Sequence, residues 1–372
     1  MKSTAKKTYD LVGLFLIPVL LVLLAPPSFS QDENLEWVDI QTLQVAGRGW
    51  ENEPEFFRRL PAKAEGMVPA SVWGLSKHTS GMYVKFRTDA TAMEVKWTVT
   101  GKNLSMPHFA ATGVSGVDLY IKRDDDSWHW LAVGRPTEFP LNKASFFSGV
   151  EPKMREYLLY LPLYNGIERL VIGVPKGSKL ESIDHGPEKP IVFYGTSITQ
   201  GGCASRAGMS TTAILGRNLD KEIINLGFSG SGRMEPELAH LLAELDPALF
   251  FLDCLPNLNP QQVAERVEPF VKILREKHPE TPIILAEGVT YDDAFFKEER
   301  NQRNVESRRA LRNAFENLLN EGYRNIYYQI GEGQLGFDGE GTVDGTHPTD
   351  LGFWRQAQVY QPIIERALDG KR

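Results

Sequence analysis

The residue best suited to covalent chemistry is Ser197, in the segment GTSITQGG, residues 195–202. This segment follows the apolar run IVFYG, so the serine lies where a predicted strand turns into a helix. There a hydroxyl projects above the sheet edge, and small neighbours let a substrate carbonyl approach. A serine in a glycine-rich turn more often serves only as a turn or cap residue. Ser197 alone is therefore a candidate nucleophile that still needs a base.

A base and its carboxylate partner stand near the C-terminus, in VDGTHPTDLG. Asp344 and His347 lie three residues apart there, in a tight turn before the last predicted helix. A histidine can take the serine proton and return it to a leaving group, and a carboxylate fixes the histidine tautomer. Structural roles are the better interpretation for the other histidines, although His108, in MPHFAATG, stays open.

Two further loops supply hydrogen-bond donors of the kind that acyl transfer needs. Gly230 lies in NLGFSGSGRME, and Asn257 lies in LDCLPNLNP, each after an apolar run. The backbone N–H groups of Ser197 and Gly230 and the side-chain amide of Asn257 can stabilise an oxyanion. The alternative roles are a flexible turn for Gly230 and a turn or helix cap for Asn257.

From Pro190 onward, apolar runs alternate with helical segments. The predicted strands are IVFYG, EIINLG, ALFFLD, PIILAEG and NIYYQ, and the predicted helices lie near 211–219, 236–245, 260–277, 304–320 and 351–368. Continuous apolar strands between helices predict a parallel sheet covered on both faces. Sites in such sheets lie beyond the carboxyl ends of the strands, where all the candidate residues fall.

Residues 35–179 show a different rhythm, with alternating runs such as GMYVKFRTD, AMEVKWTVTG and WHWLAVG. This pattern predicts an antiparallel β-sandwich or jelly roll. The predicted domains are therefore a sandwich over 31–185 and a catalytic α/β domain over 186–372, joined through GSKLESIDHGPEKP. Pro187 and Pro190 stiffen this hinge, so we expect the two domains to be held in fixed contact.

The N-terminal segment, residues 1–30, predicts a signal peptide and hence a secreted or periplasmic protein. Lysines precede the apolar run LVGLFLIPVLLVLLA, which is shorter than the ~20 residues a membrane span needs and is interrupted by Pro18. In an oxidising space, Cys203 and Cys254 form either a disulfide or two buried thiols beside the serine. The sequence leaves both possibilities open.

Composition narrows the class of protein. The 372 residues are 42% hydrophobic and 24% charged, as in ordinary globular proteins, with a net charge of −7. The acidic balance and the lack of a Lys/Arg cluster argue against nucleic acid, or a membrane after signal cleavage, as a partner. We expect no metal and no cofactor, because no ligand set has metal-binding spacing and residues 195–202 lack the lysine of a phosphate loop.

The four motif segments, in this order, resemble the four sequence blocks of the SGNH (GDSL-like) hydrolase family, over about residues 188–370. In this resemblance Ser197 matches the nucleophile, and Thr196 replaces the usual aspartate of GDSIT. Asn257 matches an oxyanion donor, although Leu258 follows it where the family has an aspartate.

The same resemblance matches Gly230 to the other oxyanion donor, and Asp344 and His347 to the D-x-x-H block. The segment SGVDLY, residues 115–120, is similar to the G-x-D-L-Y signature of the β-sandwich that precedes a subgroup of these hydrolases. The implied fold is an antiparallel, jelly-roll-like β-sandwich followed by a flavodoxin-like three-layer α/β/α domain.

The resemblance extends to two-domain carbohydrate acetylesterases. It implies a serine esterase that hydrolyses small acyl esters, O-acetyl above all, on a polysaccharide or oligosaccharide through an acyl-enzyme. One alternative is a non-catalytic carbohydrate-binding or scaffold protein with a vestigial esterase domain, against which the five intact site residues argue. The other is a lipid or thioester hydrolase of the same fold. The oligomeric state is left open.

Overall fold

The computed structural model describes Met1, residues 34–184, Gly186 and residues 188–370. Apart from Met1, the predicted signal peptide lies outside the described residues. Residues 35–372 form one compact unit. Within the described ranges, no helix combines the length and the apolar character that crossing a membrane requires.

The first half of this unit consists of two antiparallel sheets. One has the strand order β1-β9-β4-β7, and the other has the order β10-β3-β8-β5-β6, with β2 added beside β3. The strands are β1 Leu35–Asp39, β2 Val45–Ala46, β3 Tyr83–Thr88, β4 Met93–Val99, β5 Val117–Lys122, β6 Trp128–Gly134, β7 Leu141–Phe147, β8 Arg155–Tyr160, β9 Ile167–Pro175 and β10 Leu180–Ser182. Two short helices, α1 Ala70–Leu75 and α2 Ala111–Val114, lie between them.

Apolar side chains from both sheets fill the space between them. Trp97 of β4 and Ile172 of β9 come from one sheet, and Phe86 of β3 and Leu119 of β5 come from the other. All four are fully buried. The alternation of buried and half-exposed residues along β3 is that of a strand with one covered face. The predicted sandwich is confirmed, whereas its jelly-roll description stays a prediction.

The predicted hinge contains a strand. Leu180–Ser182, within the Gly- and Pro-rich segment 177–190, pairs antiparallel with β3. Leu180 packs against the sandwich core, and this contact explains why a segment with linker composition continues the sheet.

The second half is a parallel sheet between two layers of helices. Its strands are β11 Ile191–Gly195, β12 Ile223–Gly227, β13 Leu249–Asp253, β14 Ile283–Ala286 and β15 Ile326–Gln329. Its helices are α3 Ser197–Gln200, α4 Thr211–Leu219, α5 Pro236–Leu242, α6 Pro260–Lys277, α7 Glu298–Asn320 and α8 Asp350–Leu368. The order β12-β11-β13-β14-β15 is the flavodoxin-like order.

Each face of this sheet has its own apolar core. Residues of α5, α6 and α7 cover one face, and residues of α4 and α8 cover the other. All residues of β11, β12 and β13 are buried, as their continuous apolar sequences predict. The three-layer α/β/α fold is confirmed, and its first three strands end at the three candidate loops.

The sandwich is attached to the α/β layer through the G-x-D-L-Y segment. Asp118 of β5 is fully buried. Its Oδ2 accepts hydrogen bonds from Arg206 Nη1 at 2.8 Å and from the backbone N–H of Gly208 at 2.9 Å. Its Oδ1 accepts one from Trp130 Nε1 at 2.9 Å. Tyr120, two residues on, packs in the core that covers the parallel sheet. The aspartate and tyrosine of the signature therefore hold the two halves together.

Two other sandwich residues reach the strand ends that carry the candidate site. Arg59 is buried and donates to the carbonyl oxygens of Asn225 at 3.1 Å and Gly227 at 2.7 Å, at the end of β12. Burial lowers the pKa of Arg59 to about 9. The Tyr164 hydroxyl donates to the carbonyl oxygen of Ser197 at 3.1 Å. The first half thus supports the loops on which Ser197 and Gly230 depend.

Candidate active site

Ser197, His347 and Asp344 form a continuous hydrogen-bonded chain. Ser197 Oγ lies 2.9 Å from His347 Nε2, and His347 Nδ1 lies 2.8 Å from Asp344 Oδ2. Ser197 is only 9% exposed, at the base of a cleft. With Nδ1 donating to the carboxylate, Nε2 is the nitrogen left to accept the serine proton. The structure therefore brings together the three residues that the sequence assigned to proton transfer, in the order that this chemistry requires.

The turn that carries His347 is held by the carboxylate of Asp344. Asp344 Oδ1 accepts from the backbone N–H of His347 at 2.8 Å and of Thr346 at 3.0 Å. Partial burial acts to raise the Asp344 pKa, but the hydrogen bonds from His347 and Thr346 outweigh it and lower the pKa. Asp344 therefore stays ionised beside the ring. Arg300 completes the turn by donating to the Gly345 carbonyl oxygen at 3.0 Å and to Thr346 Oγ1 at 2.6 Å.

The turn that carries Ser197 is held by threonines and a buried aspartate. The Thr196 side chain caps α3, and Thr199 Oγ1 accepts from the Thr196 backbone N–H at 3.2 Å. Thr199 Oγ1 in turn donates to Asp253 Oδ2 at 3.0 Å. Burial raises the pKa of Asp253 to about 7. Sequence reasoning missed Asp253, although a lone acidic residue ending an apolar strand was a signal for it.

Three donors lie at the ends of β11, β12 and β13. Ser197 is the first residue of α3, so its backbone N–H has no acceptor inside the helix. Gly230 has a φ of 66°, a left-handed conformation that suits glycine. The Asn257 carboxamide fits with its oxygen accepting from the N–H groups of Ser231 at 3.2 Å and Gly232 at 3.3 Å. Its NH₂ then lies on the opposite side of the carboxamide from those two groups.

We expect Asn257→Ala to lower kcat by about 10²- to 10³-fold on an ester substrate, the usual effect of removing one oxyanion donor. The matched control is Asn259→Ala, two residues on, whose side chain caps α6. The Asn259→Ala substitution should lower the free energy of unfolding by about 1 kcal/mol and leave kcat nearly unchanged. Steady-state kinetics and thermal melts of both variants test the assignment. Equal kcat losses in the two variants would contradict it.

The donors and the proton-transfer chain share one open cleft of about 400 Å³. Most of its lining residues are of polar or charged type: Ser197, Ser229, Gly230, Pro256, Asn257, Tyr291, Glu299, Arg300, Arg303, Thr346 and His347. Such a cleft can hold a carbonyl group against Ser197 and present its oxygen to several N–H donors. All five residues predicted for the site therefore line it or, in the case of Asp344, lie directly behind it.

His108 and Cys203 also lie beside His347. The His108 ring centroid is 6.0 Å from that of His347. Cys203 and Cys254 are both buried, free thiols. Burial first, and the charge of Asp344 second, raise the pKa of the Cys203 thiol to about 12, so it is a poor nucleophile. The sequence placed Cys203 beside the serine without giving it a catalytic role, and it gave His108 no role in the site.

Two protein-family models match the chain. The model of the GDSL-like lipase/acylhydrolase family matches residues 188–365, and the GxDLY model, the N-terminus of SGNH-hydrolase-type esterases, matches residues 35–180. No curated protein matches the chain.

Solved structures agree with these matches. A protein from Bacteroides ovatus, assigned as a GDSL-like lipase, is 36% identical with a TM-score of 0.86, over 90% of this chain and 98% of its own. The salicylyl-acyltransferase SsfX3 of a tetracycline biosynthetic pathway is 19% identical with a TM-score of 0.72, over 89% and 97%. A family two carbohydrate esterase from Cellvibrio japonicus is 13% identical with a TM-score of 0.58, over 90% and 98%. The last two share the fold.

The family matches cover both halves of the unit, and the 36% identity to the B. ovatus protein extends over almost the whole of that protein. The chain belongs to the GDSL-like (SGNH) lipase/acylhydrolase family and is a carboxylic ester hydrolase.

Proposed function

We propose that this hydrolase removes small acyl groups, O-acetyl above all, from a polysaccharide or oligosaccharide, with Ser197, His347 and Asp344 as its catalytic residues. The observation that carries the proposal is the chain of 2.9 and 2.8 Å contacts from Ser197 through His347 to Asp344, at the base of an open polar cleft. Family two carbohydrate esterases share the fold, and one of them, from Clostridium thermocellum, is in complex with cellohexaose.

The proposed reaction has two steps. Ser197 Oγ attacks the ester carbonyl while its proton moves to His347 Nε2, and the oxyanion accepts hydrogen bonds from Ser197, Gly230 and Asn257. The carbonyl reforms as His347 passes the proton to the departing sugar oxygen, which leaves an acyl-serine. A water molecule then gives a proton to His347 and attacks the acyl-serine. His347 returns this proton to Ser197 Oγ as the carboxylic acid leaves, and the acid ionises in solvent. Asp344 orients the histidine ring throughout and stabilises its protonated form.

The lining of the cleft supports a small acyl group. Polar and charged side chains, among them Arg300, Arg303 and Glu299, surround the nucleophile. A long alkyl chain gains little in such surroundings, whereas a sugar hydroxyl finds donors and acceptors. Export through residues 1–30 would give the enzyme access to extracellular polymer.

A lipid or thioester substrate is the second candidate, and exposed aromatic residues favour it. Phe295 and Phe337 are 92% and 84% exposed and line a groove of about 410 Å³ that shares Tyr291 with the catalytic cleft. An exposed apolar patch beside a cleft marks a contact surface, and an acyl chain is one group that fits it.

Rates on acetyl, butyryl and octanoyl p-nitrophenyl esters, together with acetate release from a panel of acetylated polysaccharides, separate these candidates. We expect the acetyl ester to react fastest and acetate to be released from at least one polysaccharide. Fastest turnover of the octanoyl ester would favour the second candidate. No turnover at all, with glycan binding that Ser197→Ala leaves intact, would indicate a binding protein.

A further inference from the structure

Three metal-ligating side chains converge beside the nucleophile, although they are far apart in sequence. His108 comes from the sandwich, Cys203 from the turn after α3, and His347 from the turn before α8. One ligand atom of each lies within 4.8 Å of the other two. Among the described residues this is the group of His, Cys and carboxylate side chains that could hold a metal ion. No local sequence spacing predicts such a set.

Two imidazoles and a thiolate are ligands that Zn²⁺ prefers, in tetrahedral geometry with one position left for water. Zinc–ligand bonds of about 2.0 to 2.3 Å place tetrahedral ligand atoms roughly 3.3 to 3.6 Å apart. The three atoms, which lie within 4.8 Å of one another, must therefore approach by up to about 1.5 Å. His108 is exposed, so its side chain is free to rotate toward the buried Cys203 and the half-buried His347.

The surroundings of His347 already suit a metal ligand. Its Nδ1 is hydrogen-bonded to Asp344 Oδ2 at 2.8 Å, so Nε2 is the ring nitrogen left to bind a metal. A carboxylate behind a histidine is the usual support of a metal-bound imidazole, since it fixes the ring and the tautomer.

We propose that His108, Cys203 and His347 bind Zn²⁺, and that the bound ion reversibly switches off the hydrolase. On binding, the Cys203 thiol releases its proton to solvent, and His347 Nε2 exchanges its hydrogen bond with Ser197 for a bond to zinc. The lone pair that would accept the serine proton is then engaged by the metal. Binding depends only on the three ligands, whereas inhibition rests on the proposed function of His347.

Zinc binding can be measured without substrate in the Ser197→Ala protein, by titration calorimetry and by competition with a chromogenic chelator. We expect one ion per chain, with an affinity that falls at least 10-fold when His108→Gln or Cys203→Ala is added. The matched controls are His129→Gln, an exposed histidine on β6, and Cys254→Ala, the other buried thiol. These should bind zinc as before. No binding, or binding unaffected by the first pair of substitutions, would overturn the proposal.

Cobalt identifies the ligands directly. Co²⁺ bound in place of zinc should show a thiolate-to-metal charge-transfer band that disappears in Cys203→Ala and persists in Cys254→Ala. In the wild-type hydrolase, zinc should inhibit turnover over the concentration range in which it binds, and a chelator should restore activity. Binding without inhibition would refute the switch, and a protein that binds zinc but hydrolyses no ester would refute the proposed function instead.

Discussion

Replacing Ser197 with alanine should lower kcat on an acetyl ester by about 10⁴- to 10⁶-fold. The substitution removes the one hydroxyl that lies 2.9 Å from His347 Nε2, so no acyl-enzyme can form. The oxyanion donors remain, and they leave a residual rate above that of water. Steady-state kinetics with a p-nitrophenyl ester, alongside a thermal melt to verify folding, measure the effect. A Ser197→Ala protein with wild-type turnover would contradict the assignment.

The double variant Ser197→Ala/His347→Ala sharpens this experiment. If Ser197 and His347 act as one unit, the first substitution already abolishes the contribution of both to kcat. The double variant should therefore be scarcely slower than Ser197→Ala alone. Multiplicative losses would mean that the two residues act independently, and would exclude His347 as the base for Ser197.

Replacing Asp118 with alanine should destabilise the protein by about 3 to 5 kcal/mol, the usual effect of removing one partner of a buried ion pair. The Arg206 side chain, only 21% exposed, would lose its carboxylate, and the Gly208 N–H would lose its acceptor. Guanidinium-chloride unfolding measures the change. The control is Asp125→Ala, an exposed aspartate in the turn between β5 and β6, for which we expect a far smaller change in stability.

A second variant tests whether the pair itself stabilises the fold. Burial raises the pKa of Asp118 despite the nearby Arg206 charge, so desolvation of the carboxylate is costly. Replacing both residues, as Asp118→Leu/Arg206→Met, should therefore recover much of the stability lost in Asp118→Ala. If Asp118→Ala unfolds at the same denaturant concentration as Asp125→Ala, the attachment of the two halves does not depend on this residue.

Local signals in the sequence predict most of the α/β half. Helix α6 begins and ends as predicted, and its start is marked by Pro260 in the first turn and by a capping box that Asn259 forms with Gln262. Helix α7 begins at Glu298, six residues before the predicted Asn304. The residues between them, EERNQR, are polar and carry no apolar periodicity, so only the acidic first turn indicated a helix start.

The candidate site likewise has one part that the sequence predicts and one part that it does not. Ser197, Gly230 and Asn257 follow strands that the apolar runs predict, so their shared sheet edge could be inferred. Asp118 contacts Arg206 and Gly208, and His108 lies beside the ring of His347, so both meet segments that are distant in sequence. No periodicity encodes the meeting of β5 with the turn after α3, because it depends on how the two halves pack.

The hydrogen bond from Ser197 to His347 spans 150 residues. Chains are synthesised at about 5 to 20 residues per second, so the nucleophile precedes its base by roughly 8 to 30 s. During that interval the growing chain can form the sandwich and the first strands of the sheet, but it cannot form the proton-transfer chain. Since His347 follows β15 in the chain, the proposed base is synthesised only after the five described strands of the parallel sheet, and a chain terminated before residue 347 carries a serine without that partner.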